Sequence, residues 1–391
     1  MPTIMQNGMN LLHDDPLVAL NAHLLSGDAS YRSAGISTYI ARLVECLGDS
    51  ESSLRYEVLM GDAHLPLNGR VSVRRSRWST SRPMRRIAWE QTVLPALLRR
   101  SRASLLHAPA FVAPMVRVCP YVLTVHDLSF IRHPEFFPAS KRLYLKTLVG
   151  PSSRRATAVI TISESTAREV NTLLGVPAAR IFTVYPGVSP DFYPRPDAAV
   201  AQFRRERALP ERFVLYLGTL EPRKNLVRLV RAFAQIDRSD VHLVLAGAKG
   251  WYYEDVLNEV ERLALGDRVH MPGYVPSESL PFWYNAARVF AYPSIYEGFG
   301  IPVLEALACG TPTLTSTSTS LPEAGGDATV QVSPFDEEAI ATGLDRLLTD
   351  DALREEARVK GLAHAGHFSW SKMAKETTEV YRWALAQNTL V

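Results

Sequence analysis

The sequence predicts an α/β protein of two doubly wound, Rossmann-like domains that face a cleft. Three observations carry this prediction. Short apolar runs alternate with helical patterns, the runs are continuously apolar, and a proline-rich stretch divides them into two sets. Continuous apolar strands are typical of a parallel sheet that helices cover on both faces. The length of 391 residues also exceeds one ordinary core and indicates about two domains.

The first set of strands lies in the N-terminal half of the chain. Each predicted strand is rich in Val, Ile, Leu, Thr or Tyr and ends at a polar, Gly or Pro residue. The segments are 16–25, 56–60, 104–109, 121–127, 158–163 and 181–187. After the first of them, a Gly- and Ser-rich loop (26–37) leads into "GISTYIARLVECLG", whose apolar residues recur at spacings of three and four. That spacing predicts an amphipathic helix.

A linker and a second set of strands follow. The segment 186–200 holds four prolines and no apolar period, which predicts an inter-domain linker because proline restricts its own backbone and its neighbour's. An amphipathic helix over 369–385 is expected to pack back across the hinge onto the first domain. The first predicted domain is 1–195, with 370–391 packing back on it, and the second is 196–369. The second set of strands is predicted at 213–219, 241–247, 268–273, 288–294 and 311–316.

Composition predicts a cytoplasmic enzyme. Cys46, Cys119 and Cys309 are scattered, odd in number and without CxxC spacing, which fits reduced thiols and argues against zinc or a disulfide framework. No stretch of 18 uncharged apolar residues appears, so no transmembrane helix is predicted. The N-terminal residues lack the basic start and long apolar core of a secretory signal.

Basic residues are concentrated in the first half of the chain. Residues 1–195 carry 23 Lys and Arg against 14 Asp and Glu, whereas the remainder carries 20 against 26. The segment 70–102 holds ten arginines and one acid, Glu90. It is either a solvated face or a surface for an anionic membrane or lipid-linked substrate. The interleaved Trp78, Ile87 and Trp89 favour such an interface over a solvated face. Single-stranded nucleic acid would use a similar mixture, but no nucleic-acid motif accompanies it.

Two cations follow the first strand of the second set. Gly218 ends that strand, and Arg223 and Lys224 stand just before or within the first turn of the next helix. Adjacent cations beside free backbone N–H groups form an anion site, to which the helix dipole adds about half a positive charge. A bidentate Arg and a point-charge Lys suit two linked phosphates. The alternative is a surface pair that solvates a loop.

Two glutamates bracket a glycine-containing turn in "YEGFGIPVLEALACGTP". Glu297 precedes the turn and Glu305 lies on the apolar helix behind it, while Gly298 and Gly300 allow close approach of a ligand. Each acid alone could be purely structural: Glu297 could be an ordinary loop acid, and Glu305 could be favoured by lying near a helix N-terminus. A carboxylate accepts two hydroxyl hydrogen bonds at once. The pair therefore predicts a nucleotide sugar, with one glutamate on a hexose and the other on a ribose.

The first domain offers weaker candidates. His126 and Asp127 end the strand 121–127 and either form a packed histidine and a helix cap or point into the cleft. Gly35, at a predicted helix start, is a candidate for backbone contact with a phosphate. No GxxxxGK[ST], HExxH, GxSxG or Asp-x-Asp pattern occurs, so neither a metal nor a cofactor is predicted. Neutralising a leaving diphosphate therefore falls to Arg223, Lys224 and helix N-termini.

Three stretches resemble retaining glycosyltransferases of family 4, which have the two-domain GT-B fold. They are "TVHDLSFIRHPEFFP", "LGTLEPRKNLVRLVRAF" and "YPSIYEGFGIPVLEALACGTPTLTS". The resemblance covers nearly the whole chain and is most specific in the Glu-x7-Glu motif. The sequence is most similar to bacterial mannosyltransferases that build cell-surface polysaccharides.

The resemblance implies roles for residues of the second domain. Glu297 would bind hydroxyls of the donor hexose, and Glu305 would bind the ribose. Arg223 and Lys224 would hold the diphosphate. The strand-ending glycine and the turn behind Glu297 would also contact the donor, the turn through its backbone N–H groups: Gly218, Phe299, Gly300 and Ile301.

In the first domain, the resemblance places His126 near the reacting carbon and the donor's 6-hydroxyl, and Gly35 beside the diphosphate. The chain also departs from the family pattern. Thr219 follows the strand glycine where many relatives carry arginine, and Ala34 precedes Gly35 where a Gly-Gly pair is frequent. Phosphate neutralisation is then expected to depend more on Arg223.

These observations predict a retaining, metal-independent transfer of a hexose from a nucleoside-diphosphate sugar. Mannose from GDP-mannose is the expected donor group, and a lipid-linked or growing glycan is the expected acceptor, held at the inner face of the cytoplasmic membrane. A UDP- or dTDP-sugar donor stays open. So do a nucleotide-sugar 2-epimerase on the same fold and a non-catalytic sugar-binding protein.

Overall fold

The computed structural model describes residues 15–25, 34–48, 53–61, 71–76, 78, 83–137 and 139–388. Most of the predicted loop 26–37 and the N-terminal segment used to judge a secretory signal lie outside these ranges. Within them, the strands form two sheets whose neighbouring strands all run parallel.

The first sheet has the described strand order β3-β2-β1-β4-β5-β6-β7. Its central strands are fully buried, as their continuous apolar sequences predict. The strands are β1 (Leu17–Asn21), β2 (Arg55–Met60), β3 (Val71–Arg75), β4 (Leu105–Ala108), β5 (Tyr121–Val125), β6 (Ala158–Thr161) and β7 (Ile181–Thr183). The helices among them are α1 (Ala34–Gly48), α2 (Pro83–Ser101), α3 (Ser129–Arg132), α4 (Ala139–Arg155) and α5 (Glu164–Leu174).

The second sheet has the described order β10-β9-β8-β11-β12-β13. Its strands are β8 (Arg212–Leu217), β9 (Val241–Ala246), β10 (Val269–Gly273), β11 (Val289–Tyr292), β12 (Thr313–Ser316) and β13 (Thr329–Val332). The helices of this half are α6 (Asp197–Glu206), α7 (Leu226–Ala234), α8 (Glu254–Arg262), α9 (Leu280–Ala286), α10 (Ile301–Ala308), α11 (Leu321–Gly325), α12 (Glu337–Thr349) and α13 (Asp351–Ala365).

The last helix, α14 (Trp370–Asn388), returns to the first sheet as predicted. It packs on α1 and on β4, β5 and β6. The Tyr381 hydroxyl lies 2.6 Å from Nδ1 of the buried His107 on β4. Gly187 makes the crossing possible, because a Cβ there would stand 2.1 Å from the Trp370 backbone nitrogen. The two doubly wound sheets and the returning helix confirm the predicted fold class.

Three details differ from the predictions. The strands β3 and β13 were not predicted, because "VSVRR" and "TVQV" are short, partly exposed edge strands without a buried apolar run. The predicted linker 186–200 is too long, since α6 begins at Asp197, directly after Pro196. The domain limits at 195 and 369 stay predictions.

The Arg-rich segment 70–102 forms β3 and α2 in its described part. Trp89 is 1% exposed and lies in the core, with its ring 3.7 Å from that of His23. Its predicted place on an interface is therefore wrong, because α2 turns this face toward the sheet. Trp78, by contrast, is 49% exposed and Ile87 is partly exposed. No helix among the described residues combines the length and apolar character needed to cross a bilayer.

Candidate active site

Glu297 and the two predicted cations meet in one buried cluster. Lys224 Nζ lies 2.6 Å from Glu297 Oε1, and Arg223 Nη1 lies 2.5 Å from Glu297 Oε2. Lys224 Nζ also donates to the Tyr292 hydroxyl at 2.5 Å. Glu297 and Lys224 are each 7% exposed. The structure thus brings together side chains that the sequence separates by more than 70 positions.

The order of the strands explains this meeting. Strands β8 and β11 are neighbours, so the segments that follow them lie at the same edge of the sheet. Asn225 fixes the first segment, since its left-handed backbone (φ 64°) ends a 3₁₀ turn over Pro222–Lys224. The Asn225 amide donates to the carbonyls of Pro293 and Pro334 at 3.0 and 2.6 Å, which ties the turn to the end of β11.

The predicted helix N-terminus beside the cations needs correction. Helix α7 begins only at Leu226, behind Asn225. The backbone N–H groups of Lys224 and Asn225 already donate to the carbonyls of Glu221 and Pro222. Arg223 and Lys224 therefore act through their side chains on a 3₁₀ turn, and the backbone donors nearest to them are occupied.

Charge in the cluster is balanced internally. Burial alone would raise the pKa of Glu297, but Arg223 and Lys224 outweigh it and hold the pKa at about 2. Burial lowers the pKa of Lys224, and the adjacent Arg223 lowers it further against the pull of Glu297. Glu221, 8% exposed, lies 2.7 Å from Arg223 Nη2 and supplies a second anion. Two buried acids, the buried Lys224 and the partly exposed Arg223 make the cluster close to neutral.

Glu305 has the opposite electrostatic environment. Its carboxylate accepts a hydrogen bond from the Tyr284 hydroxyl at 2.8 Å, and no cation pairs with it among the described residues. Burial raises its pKa to about 7, although the tyrosine bond partly opposes this. Glu297 is thus saturated with charge partners, whereas Glu305 keeps hydrogen-bonding capacity. Ribose hydroxyls would satisfy that capacity without requiring another charge.

The turn between the glutamates is confined on both sides. A Cβ at Gly298 would stand 2.1 Å from the His126 carbonyl oxygen, so this glycine is where the two domains press together. Gly300 has φ 111° and caps α10, whose first residue is Ile301. The Ser320 hydroxyl lies within hydrogen-bonding distance of the carbonyls of Glu297 and Phe299, at 2.9 and 3.0 Å. The Phe299 side chain itself is core, 2% exposed.

His126 follows β5 and lies at the cleft. Its Nε2 donates to the Pro109 carbonyl at 2.7 Å, which leaves Nδ1 without a hydrogen bond among the described residues. Burial lowers the pKa of His126, so the ring is neutral at pH 7. Asp127 takes the structural role that the sequence left open, because its Oδ1 accepts from the Ser129 N–H at 2.9 Å in the turn that begins α3.

Two predicted glycines lie at their expected elements. Gly218 directly follows β8 and has φ 151°. A Cβ at Gly247 would stand 1.9 Å from the Gly218 carbonyl oxygen. Gly35 is the second residue of α1, and a Cβ there would have no described atom within 4 Å. The phosphate contacts assigned to Gly35 and Gly218 stay predictions.

Several residues around the site were missed from the sequence. Glu221 and Tyr292 hold the cations, and Tyr284 holds Glu305. Tyr292 and Tyr284 lie inside apolar segments, where the pattern predicts that a tyrosine is part of the hydrophobic core. For Glu221 a signal exists, since it lies two residues before Arg223 in "EPRK".

Two further missed residues join the domains. The Tyr296 hydroxyl accepts from the Leu128 N–H at 3.0 Å and lies 2.5 Å from Glu169 Oε2. Glu323 on α11 accepts from the first N–H groups of α5, those of Glu164 and Ser165, at 2.7 and 2.8 Å. Both contacts link the second domain to the helix that follows β6.

Two facing Rossmann-like sheets, with a buried acid–cation cluster in the cleft, define the architecture of the GT-B glycosyltransferases. The chain belongs to the glycosyltransferase family: the model described as "Glycosyl transferases group 1" matches residues 200–362, and that of "Glycosyltransferase Family 4" matches residues 33–192. The chain is 37% identical over 302 residues to O-antigen chain mannosyltransferase B of Escherichia coli, covering 76% of this chain and 77% of that protein.

Solved structures agree with the fold. Sucrose-phosphate synthase from Thermosynechococcus elongatus superposes with a TM-score of 0.77 at 23% identity, over 95% of this chain and all of that one. Anabaena HepE in complex with UDP-glucose gives a TM-score of 0.73 at 19% identity, over 94% of this chain and 99% of that one. The chain is therefore a glycosyltransferase of GT-B fold. Among its described residues, no group of three His, Cys, Asp or Glu side chains is arranged to hold a metal ion.

Proposed function

We propose that the protein transfers mannose from GDP-mannose, with retention of configuration, to a lipid-linked or growing glycan in the synthesis of a cell-surface polysaccharide such as O-antigen or exopolysaccharide. The observation that carries the proposal is the convergence of Glu297, Arg223 and Lys224 in one crevice. The choice of mannose is supported by the 37% identity to an O-antigen mannosyltransferase.

In the proposed mechanism, contacts with the donor replace the ion pairs of Glu297 with Arg223 and Lys224. Arg223 and Lys224 turn from Glu297 to the diphosphate, and Glu297 turns to hydroxyls of the hexose. The cations then stabilise the negative charge that develops on the leaving diphosphate as the glycosidic bond breaks. Glu305 and the turn residues Phe299, Gly300 and Ile301 hold the ribose, the sugar and the phosphate, with Gly35 and Gly218 close to the diphosphate.

The acceptor reacts on the face from which the leaving group departs. Its hydroxyl attacks the anomeric carbon and passes its proton to an oxygen of the departing phosphate, which retains the configuration. Before the donor binds, Arg223 and Lys224 hold the pKa of Glu297 at about 2, so it meets the hexose as an anion. In the proposal this anion orients the sugar and does not attack it. His126 is placed near the reacting carbon. The proposed step requires neither a metal nor a cofactor.

The first domain is proposed to bind the acceptor at the cytoplasmic face of the membrane. The exposed arginines of α2 and β3 and the half-exposed Trp78 support peripheral contact with anionic lipid. No nucleic acid is proposed as a partner.

The base of the donor is tested by titrating the protein with GDP, UDP and dTDP. Tightest binding of GDP is expected, and preference for UDP would replace GDP-mannose by a UDP-sugar. The second possibility has its own support, since HepE was solved with UDP-glucose.

Transfer itself is tested with GDP-mannose and a lipid-linked acceptor fraction, with the anomeric configuration of the product read by NMR. An α-linked product is expected, and a β-linked one would contradict retention. A parallel reaction without acceptor tests the epimerase alternative, which predicts a changed sugar nucleotide. A protein that binds free sugar but no nucleotide would instead be the non-catalytic alternative.

A further inference from the structure

A small cavity opens between the domains beside the loop that carries Glu297. Its volume is about 240 Å³. Sites for drug-sized ligands measure about 300–1,000 Å³, so this cavity suits a smaller ligand such as one sugar ring. Side chains of both domains form its walls, principally Arg132, His133 and Glu169 from the first, and Tyr296, Thr319 and Phe335 from the second.

One wall offers an aromatic ring. Phe335 follows β13 and is 61% exposed, with the Arg228 guanidinium 5.4 Å from its ring centroid. An exposed phenylalanine is not unusual by itself. Here, however, the ring borders a largely apolar cavity whose lining also includes the polar side chains of Arg132, Glu169 and Thr319. A pyranose has the matching chemistry, because one face presents C–H groups and its edge presents hydroxyls.

The opposite wall offers hydrogen-bonding groups with no excess charge. Arg132 Nε lies 2.7 Å from Glu169 Oε1, and the Arg132 side chain is 49% exposed. Among the described residues only this nitrogen of Arg132 is hydrogen-bonded, so the two Nη groups remain available to a ligand. Because the arginine is already paired with an acid, the wall suits a neutral polyhydroxyl compound better than a phosphate.

The loop at the base of the cavity is strained and tied to Glu297. Thr319 has φ 51°, a left-handed conformation that is rare and strained for a β-branched residue. In that conformation its hydroxyl accepts a hydrogen bond from the Glu297 N–H at 3.0 Å. A ligand in the cavity would therefore contact a residue that positions the backbone of Glu297.

We propose that this cavity binds one hexopyranose residue of the acceptor glycan. The inference rests on the proposed function and identifies a subsite for it. The cavity adjoins the acid–cation cluster through Ile295 and Tyr296, which hydrogen-bond to Arg223. From there its lining extends away from the cluster, to Phe335 after β13 and to Arg132 and Glu169 of the first domain. Since both domains form the walls, a bound sugar would favour the arrangement in which Tyr296 meets Glu169.

The experiment titrates the full chain, saturated with GDP or UDP, with α-linked mannobiose and with maltose, followed by ligand-detected NMR. Binding of at least one disaccharide is expected. Phe335→Ala should weaken it about tenfold or more, as loss of an aromatic anchor commonly does. Phe335→Tyr keeps the ring and should bind like the original protein. Arg132→Gln, on an exposed side chain, should also weaken binding.

Nucleotide affinity separates this inference from the proposed function. All three variants should bind GDP or UDP as the original protein does, which also shows that they are folded. If the original protein binds nucleotide but neither disaccharide, or if Phe335→Ala and Arg132→Gln leave disaccharide binding unchanged, the subsite is wrong while the proposed function stands. Failure to bind any nucleotide would instead contradict the proposed function.

Discussion

At the residue scale, Glu297 and Glu305 differ although they bracket one short turn. Glu297 pairs with two cations and stays ionised, whereas among the described residues the Glu305 carboxyl has one side-chain hydrogen bond, from the Tyr284 hydroxyl. Proteins often assign different roles to two carboxyl groups by giving them different environments. The contrast supports a polar, charge-independent contact for Glu305 and a charge-balanced one for Glu297.

Replacing Glu297 by Gln should abolish transfer and lower stability. The change leaves the buried Lys224 without its anion, whereas Arg223 keeps Glu221, and breaking such a buried pair costs about 3–5 kcal/mol. Thermal unfolding and a transfer assay on the same preparation would measure both effects. A folded variant with near-normal turnover would contradict the role of Glu297. Lys224→Ala is expected to lose transfer as well.

Replacing Glu305 by Gln should change how stability depends on pH. In the folded protein, burial raises the pKa of Glu305 from its usual 4.5 to about 7, so the folded state holds its proton more tightly between these pH values. Stability from this group is present below pH 4.5 and is lost as pH rises through 7. Glu305→Gln should therefore gain stability relative to the original protein as pH rises from 4.5 to above 7, by up to about 3 kcal/mol.

Urea unfolding at several pH values between 4 and 8 measures this gain. The two proteins should differ least at the acid end, where both side chains are neutral. A constant difference across the whole range would show that Glu305 does not titrate there.

At the element scale, helix α5 receives two caps from different domains. Ser163 caps it from within the first domain, accepting from the Thr166 N–H, and Glu323 accepts two further N–H groups from the second domain. The Tyr185 hydroxyl also donates to Glu323 at 3.2 Å. A carboxylate at this end complements the helix dipole. The contact therefore stabilises the helix and the domain interface together.

Glu323→Ala should destabilise the protein by about 1 kcal/mol and increase motion between the domains. Asp350→Ala is the control, because it removes an N-terminal cap of comparable kind from α13, within the second domain. Proteolysis of the linker between β7 and α6 reports the motion. Equal cleavage of both variants would show that Glu323 acts only as a local cap.

The basic helix α2 has a separate test. Reversing Arg85, Arg99 and Arg100 to Glu should weaken association with vesicles of anionic lipid, because each Lys or Arg near such a surface contributes about 1 kcal/mol to membrane binding. Nucleotide affinity should stay unchanged. Arg205→Glu and Arg207→Glu on the second domain serve as the charge control. Loss of nucleotide binding along with vesicle binding would indicate that the arginines are structural.

At the scale of the whole molecule, the last helix, α14, packs on the first sheet and on α1. It follows the second domain in sequence, yet its Tyr381 completes a buried polar chain in the first, in which His107 lies between Tyr381 and Thr124. Burial lowers the pKa of His107 to about 3, so the ring is neutral and depends on these two hydrogen bonds.

Tyr381→Phe should lower the free energy of unfolding by about 1–3 kcal/mol, since it leaves a buried ring nitrogen unsatisfied. Tyr56→Phe is the control, because the buried hydroxyl of Tyr56 has no hydrogen-bond partner among the described residues. Denaturant unfolding of both variants measures the difference. A Tyr381→Phe protein as stable as the control would show that the His107 bond contributes little.

Much of the architecture could be predicted because its signals are local. Continuous apolar strands marked two parallel sheets, and polar residues after β5, β8 and β11 marked the cleft. The edge strands β3 and β13 lacked such a signal. Trp89 was predicted at an interface because arginines surround it in the sequence. Its burial against the sheet depends on how α2 packs, which the sequence does not show locally.

The two-sheet fold and the choice of acids and cations could be predicted from the chain alone, because strand ends and helical periods depend on neighbouring residues. Which of these groups meet depends on the three-dimensional arrangement. Arg223 reaches Glu297 because β8 and β11 are adjacent in the sheet, and Glu323 reaches α5 across 159 positions because the domains face each other. Strand order and domain packing are properties of the whole chain, so no local pattern encodes them.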